Sequence, residues 1–147
     1  MPTIKEESEQ RGVLSVSISF GTTKIHLFSF HLSTSKKERL LAAEEIVRII
    51  KKIDKNDVII IGGDFNVGIE KIGKHQYTFE EKECYDEYNI LNQVLSQINN
   101  NEKTWFSKEG EGCIDTIFYS RNIKLENVQT IKTDLSDHYG VYAEFNI

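Results

Sequence analysis

The feature that most constrains this chain is the run Asp57-Val58-Ile59-Ile60-Ile61, stopped by Gly62-Gly63. Consecutive β-branched residues over so short a stretch, with no polar alternation, predict a strand buried on both faces. Leu40, Leu41, Ala43, Ile46, Val47, Ile50 and Ile53 precede it at helical spacing, and Ser35 with Glu38 three residues on has the form of a capping box. A helix is therefore expected from Lys36 to about Lys52. Ahead of it, Ile25 to Phe30 reads as a strand that ends at His31. Strand, helix, strand is a crossover unit, which places a parallel pair inside the sheet.

Around this unit the elements are shorter. From Leu14 to Phe20 every second residue is apolar, which predicts a half-buried strand with Leu14, Val16, Ile18 and Phe20 on one face. Gly21-Thr22-Thr23-Lys24 reads as a hairpin turn leading into the next strand. Val67 to Glu83 is polar and reads as a long surface loop, and Tyr85 to Ile98 carries a weaker helical stripe. Trp105-Phe106, Ile114 to Tyr119 and Val128 to Lys132 follow as short strands, and Val141 to Phe145 is expected to close the sheet. Residues 1–12 are polar, contain the only proline and are expected to form a flexible tail, leaving residues 13–147 as one domain.

Charge and cysteine content narrow the function classes. With 18 basic and 23 acidic residues the net charge is −5, so no global positive field holds a polyanion, and a nucleic-acid reading must rest on a local site. Cys84 and Cys113 match no zinc spacing and are too few for a disulfide framework, which favours a reducing, cytoplasmic setting. No apolar run approaches the roughly 18 residues of a transmembrane segment, and the charged start carries no signal-like stretch. The chain is expected to be soluble.

Four places carry more polar chemistry than a strand end requires. In Gly62-Gly63-Asp64-Phe65-Asn66 a carboxylate and an amide leave the C-terminal end of the buried strand, where ligands of α/β sheets bind. A plain turn uses the same residue types. Ser136-Asp137-His138 precedes the last strand and reads equally as a surface turn. Asp115 stands among apolar neighbours, where an acid needs a partner such as histidine unless it faces water at a sheet edge. His31 ends a strand, and a packed histidine is the alternative to a catalytic one.

Taken in order, these motifs resemble one family. Phe30-His31-Leu32 before a helix, Gly63-Asp64-Phe65-Asn66 after the next strand, Thr104-Trp105 followed by Ile114-Asp115, and Leu135-Ser136-Asp137-His138-Tyr139 are similar to the endonuclease/exonuclease/phosphatase superfamily, the deoxyribonuclease I-like fold of metal-dependent phosphodiesterases. The resemblance runs from about Gly12 to Ile147, and the ending Ser136-Asp137-His138-Tyr139 is most similar to the neutral sphingomyelinase branch. It implies catalytic roles for His31, Asp64, Asn66, Asp115 and His138, with Asp137 as a metal ligand. His138 would act as general base or phosphate stabiliser, Asp115 would fix its tautomer, Asp64 and Asn66 would position water and a phosphoryl oxygen, and His31 would donate to the phosphate. The implied cofactor is Mg²⁺, or alternatively Mn²⁺.

The chain also departs from that pattern. The family's early Asn and its Leu-Gln-Glu glutamate, which supply the main metal ligands, have no counterpart here, so the metal is expected to bind weakly. The expected fold is α/β (α+β), the C-terminal half of a two-sheet sandwich, with a mixed sheet and helices. One face of that sheet would stay uncovered unless a homodimer or the missing N-terminal half covers it. The expected function is metal-dependent hydrolysis of a phosphodiester, in a phospholipid such as sphingomyelin or in nucleic acid, and the alternative is a catalytically inactive half-domain that serves as a binding or scaffolding module. Lys36, Lys37, Arg39, Lys71 and Lys74 are candidates for a basic rim, or for an ordinary solvated surface.

Overall fold

The structure, a computed structural model, describes residues 9–74, 76–80 and 85–147. Residues 1–8 of the expected tail and Cys84 lie outside the described residues, and residues 9–12 have no regular structure. The centre is a five-stranded sheet built from β1 (Val13–Phe20), β2 (Thr23–His31), β3 (Val58–Asp64), β6 (Ser96–Gln97) and β9 (Asp115–Tyr119), in the order β1-β2-β3-β9-β6. β2 and β3 run parallel, joined by α1 (Lys36–Ile50), while β1 and β9 pair antiparallel on either side. The sheet is mixed, as the crossover unit requires.

Helix α1 and the short α2 (Asp86–Leu91) cover one face. Ala42, Ala43 and Ile46 of α1 and Leu91 of α2 pack with Phe30, Ile59, Ile61, Phe65 and Phe118 in a single buried cluster. Ser35 occupies the N-cap of α1 in an extended conformation, but its side chain makes no capping bond. The expected capping box is replaced by a long-range contact, because the Glu70 carboxylate accepts the Lys36 N–H at 3.1 Å. A carboxylate there satisfies an orphan donor and the helix dipole together.

Three other expectations change. The described part of the expected Val67–Glu83 loop holds a hairpin of β4 (Ile69–Gly73) and β5 (Gln76–Phe79), and Val67 and Ile69 are buried. The stripe from Tyr85 to Ile98 stays helical only as far as Leu91, and the chain turns so that Ser96 and Gln97 can pair with β9. β11 (Gly140–Asn146) does not close the main sheet; it pairs with β10 (Lys124–Ile131) as a separate ribbon. Phe145 of that ribbon packs on Tyr119 with ring centroids 5.0 Å apart. A further two-stranded piece joins β7 (Trp105–Phe106) to β8 (Glu111–Gly112).

The register settles which way β1 faces. Val13 and Ser15 pair with Phe30 and Phe28, which lie under α1, so Leu14, Val16, Ile18 and Phe20 point to the opposite face. There they are exposed by 69%, 49%, 47% and 75%. The strand is therefore not half-buried within this chain, since the β10–β11 ribbon reaches β9 at the other side of the sheet.

Candidate active site

The site grows out of strand register. His31 and Asp64 are partners across the parallel pair β2–β3, and Asp64 and Asp115 across the antiparallel pair β3–β9. Three side chains from three strands thus arrive at one end of the sheet, the C-terminal end of β3. His31 Nε2 lies 3.4 Å from Asp64 Oδ2. His138, from the turn before β11, donates its Nδ1–H to Asp115 Oδ2 at 2.9 Å, which leaves Nε2 as the unprotonated nitrogen of the neutral ring. Ligand atoms of Asp64, Asp115 and His138 all lie within 4.8 Å of one another.

The backbone around these groups is tightly specified. Gly63 has φ +150°, and a Cβ there would sit 1.9 Å from the Phe30 carbonyl oxygen, so only glycine fits before Asp64. Asn66 adopts φ +51°, a left-handed conformation that asparagine tolerates better than most residues. Its N–H donates to Asp64 Oδ1 at 2.9 Å, and its Nδ2 donates to the Leu32 carbonyl at 2.9 Å. Asn66 thus locks the loop after β3 to the end of β2.

Thr104, which has no assigned role in the motif reading, is fully buried and ties the other half of the site together. Its Oγ1 accepts the N–H of Ile114 and of Asp115 at 3.2 and 3.0 Å, and its carbonyl accepts the Tyr139 N–H at 2.7 Å. One threonine therefore sets the spacing between Asp115 and the segment that carries His138. The only hint in the sequence is its place before Trp105, which itself bridges to His138.

Asp64 is perturbed by its surroundings. Burial, followed by the neighbouring Asp115, raises its pKa above the ordinary aspartate value, and the Asn66 N–H and the two histidines oppose that shift. A cleft of about 390 Å³ opens beside Asp115, lined by Ser29, Gly63, Ile117, Tyr139 and Val141 among others.

His31, Asp64, Asn66, Asp115 and His138 therefore lie together around the end of β3. Asp137 is exposed and is not a member of the carboxylate–imidazole group; its carbonyl accepts the Phe106 N–H at 2.9 Å. Two of the basic-rim candidates are engaged within the fold. Arg39 is fully buried and paired with Glu87 at 2.7 Å, and Lys36 is held by Glu80 at 2.9 Å.

Comparison with known proteins identifies the family and the fold. The family model described as endonuclease-reverse transcriptase matches residues 25–142. The chain belongs to that family, within the endonuclease/exonuclease/phosphatase superfamily. Among solved structures, TDP2 of D. rerio complexed with a single-strand DNA product is 20% identical, with TM-score 0.68, over 93% of this chain and 62% of that one. The endonuclease domain of TRAS1, a telomere-specific non-LTR retrotransposon, is 22% identical, with TM-score 0.66, over 92% and 63%. The mannosyl-6-phosphatase Bt3783 of Bacteroides thetaiotaomicron is 19% identical, with TM-score 0.56, over 86% and 53%. This chain thus spans 53–63% of the length of these three structures. No curated protein matches it by sequence. Among the described residues no helix is long and apolar enough to cross a membrane.

Proposed function

We propose that this chain carries the catalytic face of a phosphodiester hydrolase whose substrate is a nucleic acid. The observation that carries the reading is the convergence of Asp64, Asp115 and His138 within 4.8 Å at the end of β3. Nucleic acid is preferred to phospholipid because the matched family is described as an endonuclease family and one of the similar structures holds a DNA product.

In this reading His138 Nε2 takes a proton from water as the water oxygen attacks phosphorus and the ester P–O bond breaks. Asp115 holds the ring in the tautomer that leaves Nε2 free and stabilises the imidazolium that forms. His31, with its side chain 58% exposed, donates to a non-bridging phosphate oxygen. Asp64 orients the water. Asn66 spends its Nδ2 on Leu32, so it acts by holding the loop and presenting its Oδ1.

The donor set fits a hard divalent cation such as Mg²⁺ or Mn²⁺, which accepts one or two carboxylates and keeps several waters. Asp64 and Asp115 would hold it, with Asp137 as a further oxygen from the exposed side. Such an ion, when bound, neutralises charge on the phosphate. So few carboxylates imply weak binding. The same scarcity favours the second reading, a silent half-domain that binds without turnover.

Incubation with single-stranded DNA, duplex DNA and sphingomyelin vesicles, each with added Mg²⁺, tests the proposal. DNA cleavage is expected. Hydrolysis of the vesicles alone would move the substrate class to phospholipid, and no turnover of any substrate would favour the silent module.

A further inference from the structure

A second relay of polar groups lies away from the Asp64–Asp115–His138 group. Ser17 on β1 and His26 on β2 are register partners, and Asp57 stands directly before β3. His26 donates its Nε2–H to Asp57 Oδ2 at 2.9 Å, because a carboxylate only accepts. That leaves Nδ1 as the unprotonated nitrogen of the neutral ring, and the Ser17 hydroxyl donates to it at 2.9 Å. The three side chains form a continuous line of hydroxyl, imidazole and carboxylate.

The line is separate from the site at the end of β3. His26 and His31 are five residues apart on β2, about 16 Å at the usual rise, and the odd spacing turns them to opposite faces of the sheet. Asp57 is fixed through its backbone: its N–H donates to the Asp54 carbonyl at 3.0 Å, and its carbonyl accepts the Asn122 Nδ2–H at 3.1 Å. The His26 ring is held at both nitrogens and is only 14% exposed, whereas Ser17 is exposed and open to a solute. Ser15 and Ser19 share the face of Ser17, but their register partners are Phe28 and Lys24, so the imidazole singles out Ser17.

A hydroxyl whose proton an oriented imidazole can take is an activated nucleophile. Lys24 lies two positions before His26 on the same face, diagonal to Ser17, and a long side chain reaches that far across an antiparallel pair. Its ammonium can offset negative charge that develops beside Ser17. We propose that Ser17, His26 and Asp57 form a second nucleophilic centre, which accepts the acyl group of a small carboxylic ester. Ser17 Oγ bonds to the carbonyl carbon as its proton passes to His26 Nδ1, and Asp57 stabilises the imidazolium. The ester C–O bond then breaks and the leaving alcohol takes the proton from His26. Water attacks the acyl-serine in the same way, releasing the acid and restoring the hydroxyl.

Two probes test the centre, p-nitrophenyl acetate and a fluorophosphonate, both in EDTA so that no divalent cation supports the chemistry proposed for His138. The ester is expected to release p-nitrophenolate. The fluorophosphonate is expected to leave one adduct per chain, located on Ser17 by peptide mass spectrometry. Ser17→Ala, at an exposed position, should abolish the adduct, and Ser19→Ala should leave it unchanged. Asp57→Asn keeps an oxygen that accepts from His26, so it should slow adduct formation by about 10²-fold or more at an unchanged melting temperature. Absence of an adduct, or labelling of Ser15 and Ser19 as often as Ser17, would overturn the proposal. So would an undiminished rate in Asp57→Asn.

Discussion

Asp64 and Asp115 face each other as register partners across β3 and β9, with the His138 imidazole within 4.8 Å of both. Two acids and a ring in so small a space work against the fold. Because burial and Asp115 raise the Asp64 pKa, the stability linked to this group is complete below the ordinary aspartate pKa of 3.8 and is lost as pH rises through the folded value. Asp64→Asn keeps the oxygen that accepts the Asn66 N–H and removes the charge. Its denaturation midpoint should exceed that of the parent at neutral pH, and the gap should close on acidification towards pH 3.8. A gap independent of pH would contradict this account.

Gly63→Ala should damage the fold more than any change at the surface. The added methyl would enter the Phe30 carbonyl, and φ +150° is itself strained for alanine. The loss should be about 3 kcal/mol or more, a melting point lower by roughly 10 °C in a domain of this size. A thermal melt within about 2 °C of the parent would exclude the close approach.

Arg39 and Glu87 make a fully buried ion pair at 2.7 Å, and Arg39 Nη1 also donates to the Ile69 carbonyl at 2.7 Å. Arg39 Nη2 and Glu87 Oε2 have no partner among the described residues. Removing one charge strands the other, so Arg39→Met should destabilise by about 3–5 kcal/mol. Arg39→Met with Glu87→Leu should recover much of that loss. Denaturant unfolding of both variants measures it, and additive losses would show that the two charges do not depend on each other.

The crossover unit was legible because its signals are local and agree. Val58 to Ile61, the helical stripe after Lys36 and the strand ending at His31 each have one reading, and the structure keeps all three. The motif order also named residues that the sheet brings together, because register places His31, Asp64 and Asp115 in neighbouring positions. What the sequence hid depends on distant partners. Glu70 caps a helix that begins 34 residues earlier, and Arg39 reads as a surface cation until Glu87 buries it. The β4–β5 hairpin was obscured by polar residues on its open side, although Val67 and Ile69 enter the interior. Likewise, β11 shows the alternation of a strand, but nothing in it says that β10 rather than the main sheet is its partner.

The uncovered stripe on β1 gives a separate test. Four exposed apolar side chains on one strand exceed the isolated exposure common on monomers. The chain should bind the dye ANS, and Leu14→Ser with Phe20→Ser should reduce that signal at least about twofold, in proportion to the apolar area removed. An unchanged signal would place the dye elsewhere.

The most direct test of the central claim is cleavage of a labelled single-stranded oligonucleotide with Mg²⁺ supplied at millimolar concentration, comparing the parent with His138→Ala and Asp115→Asn. Measurable cleavage is expected from the parent, with a loss of about 10²-fold or more in each variant, the usual scale for a general base and the group that orients it. Cleavage that persists undiminished in both variants would contradict the assignment of the reaction to Asp115 and His138.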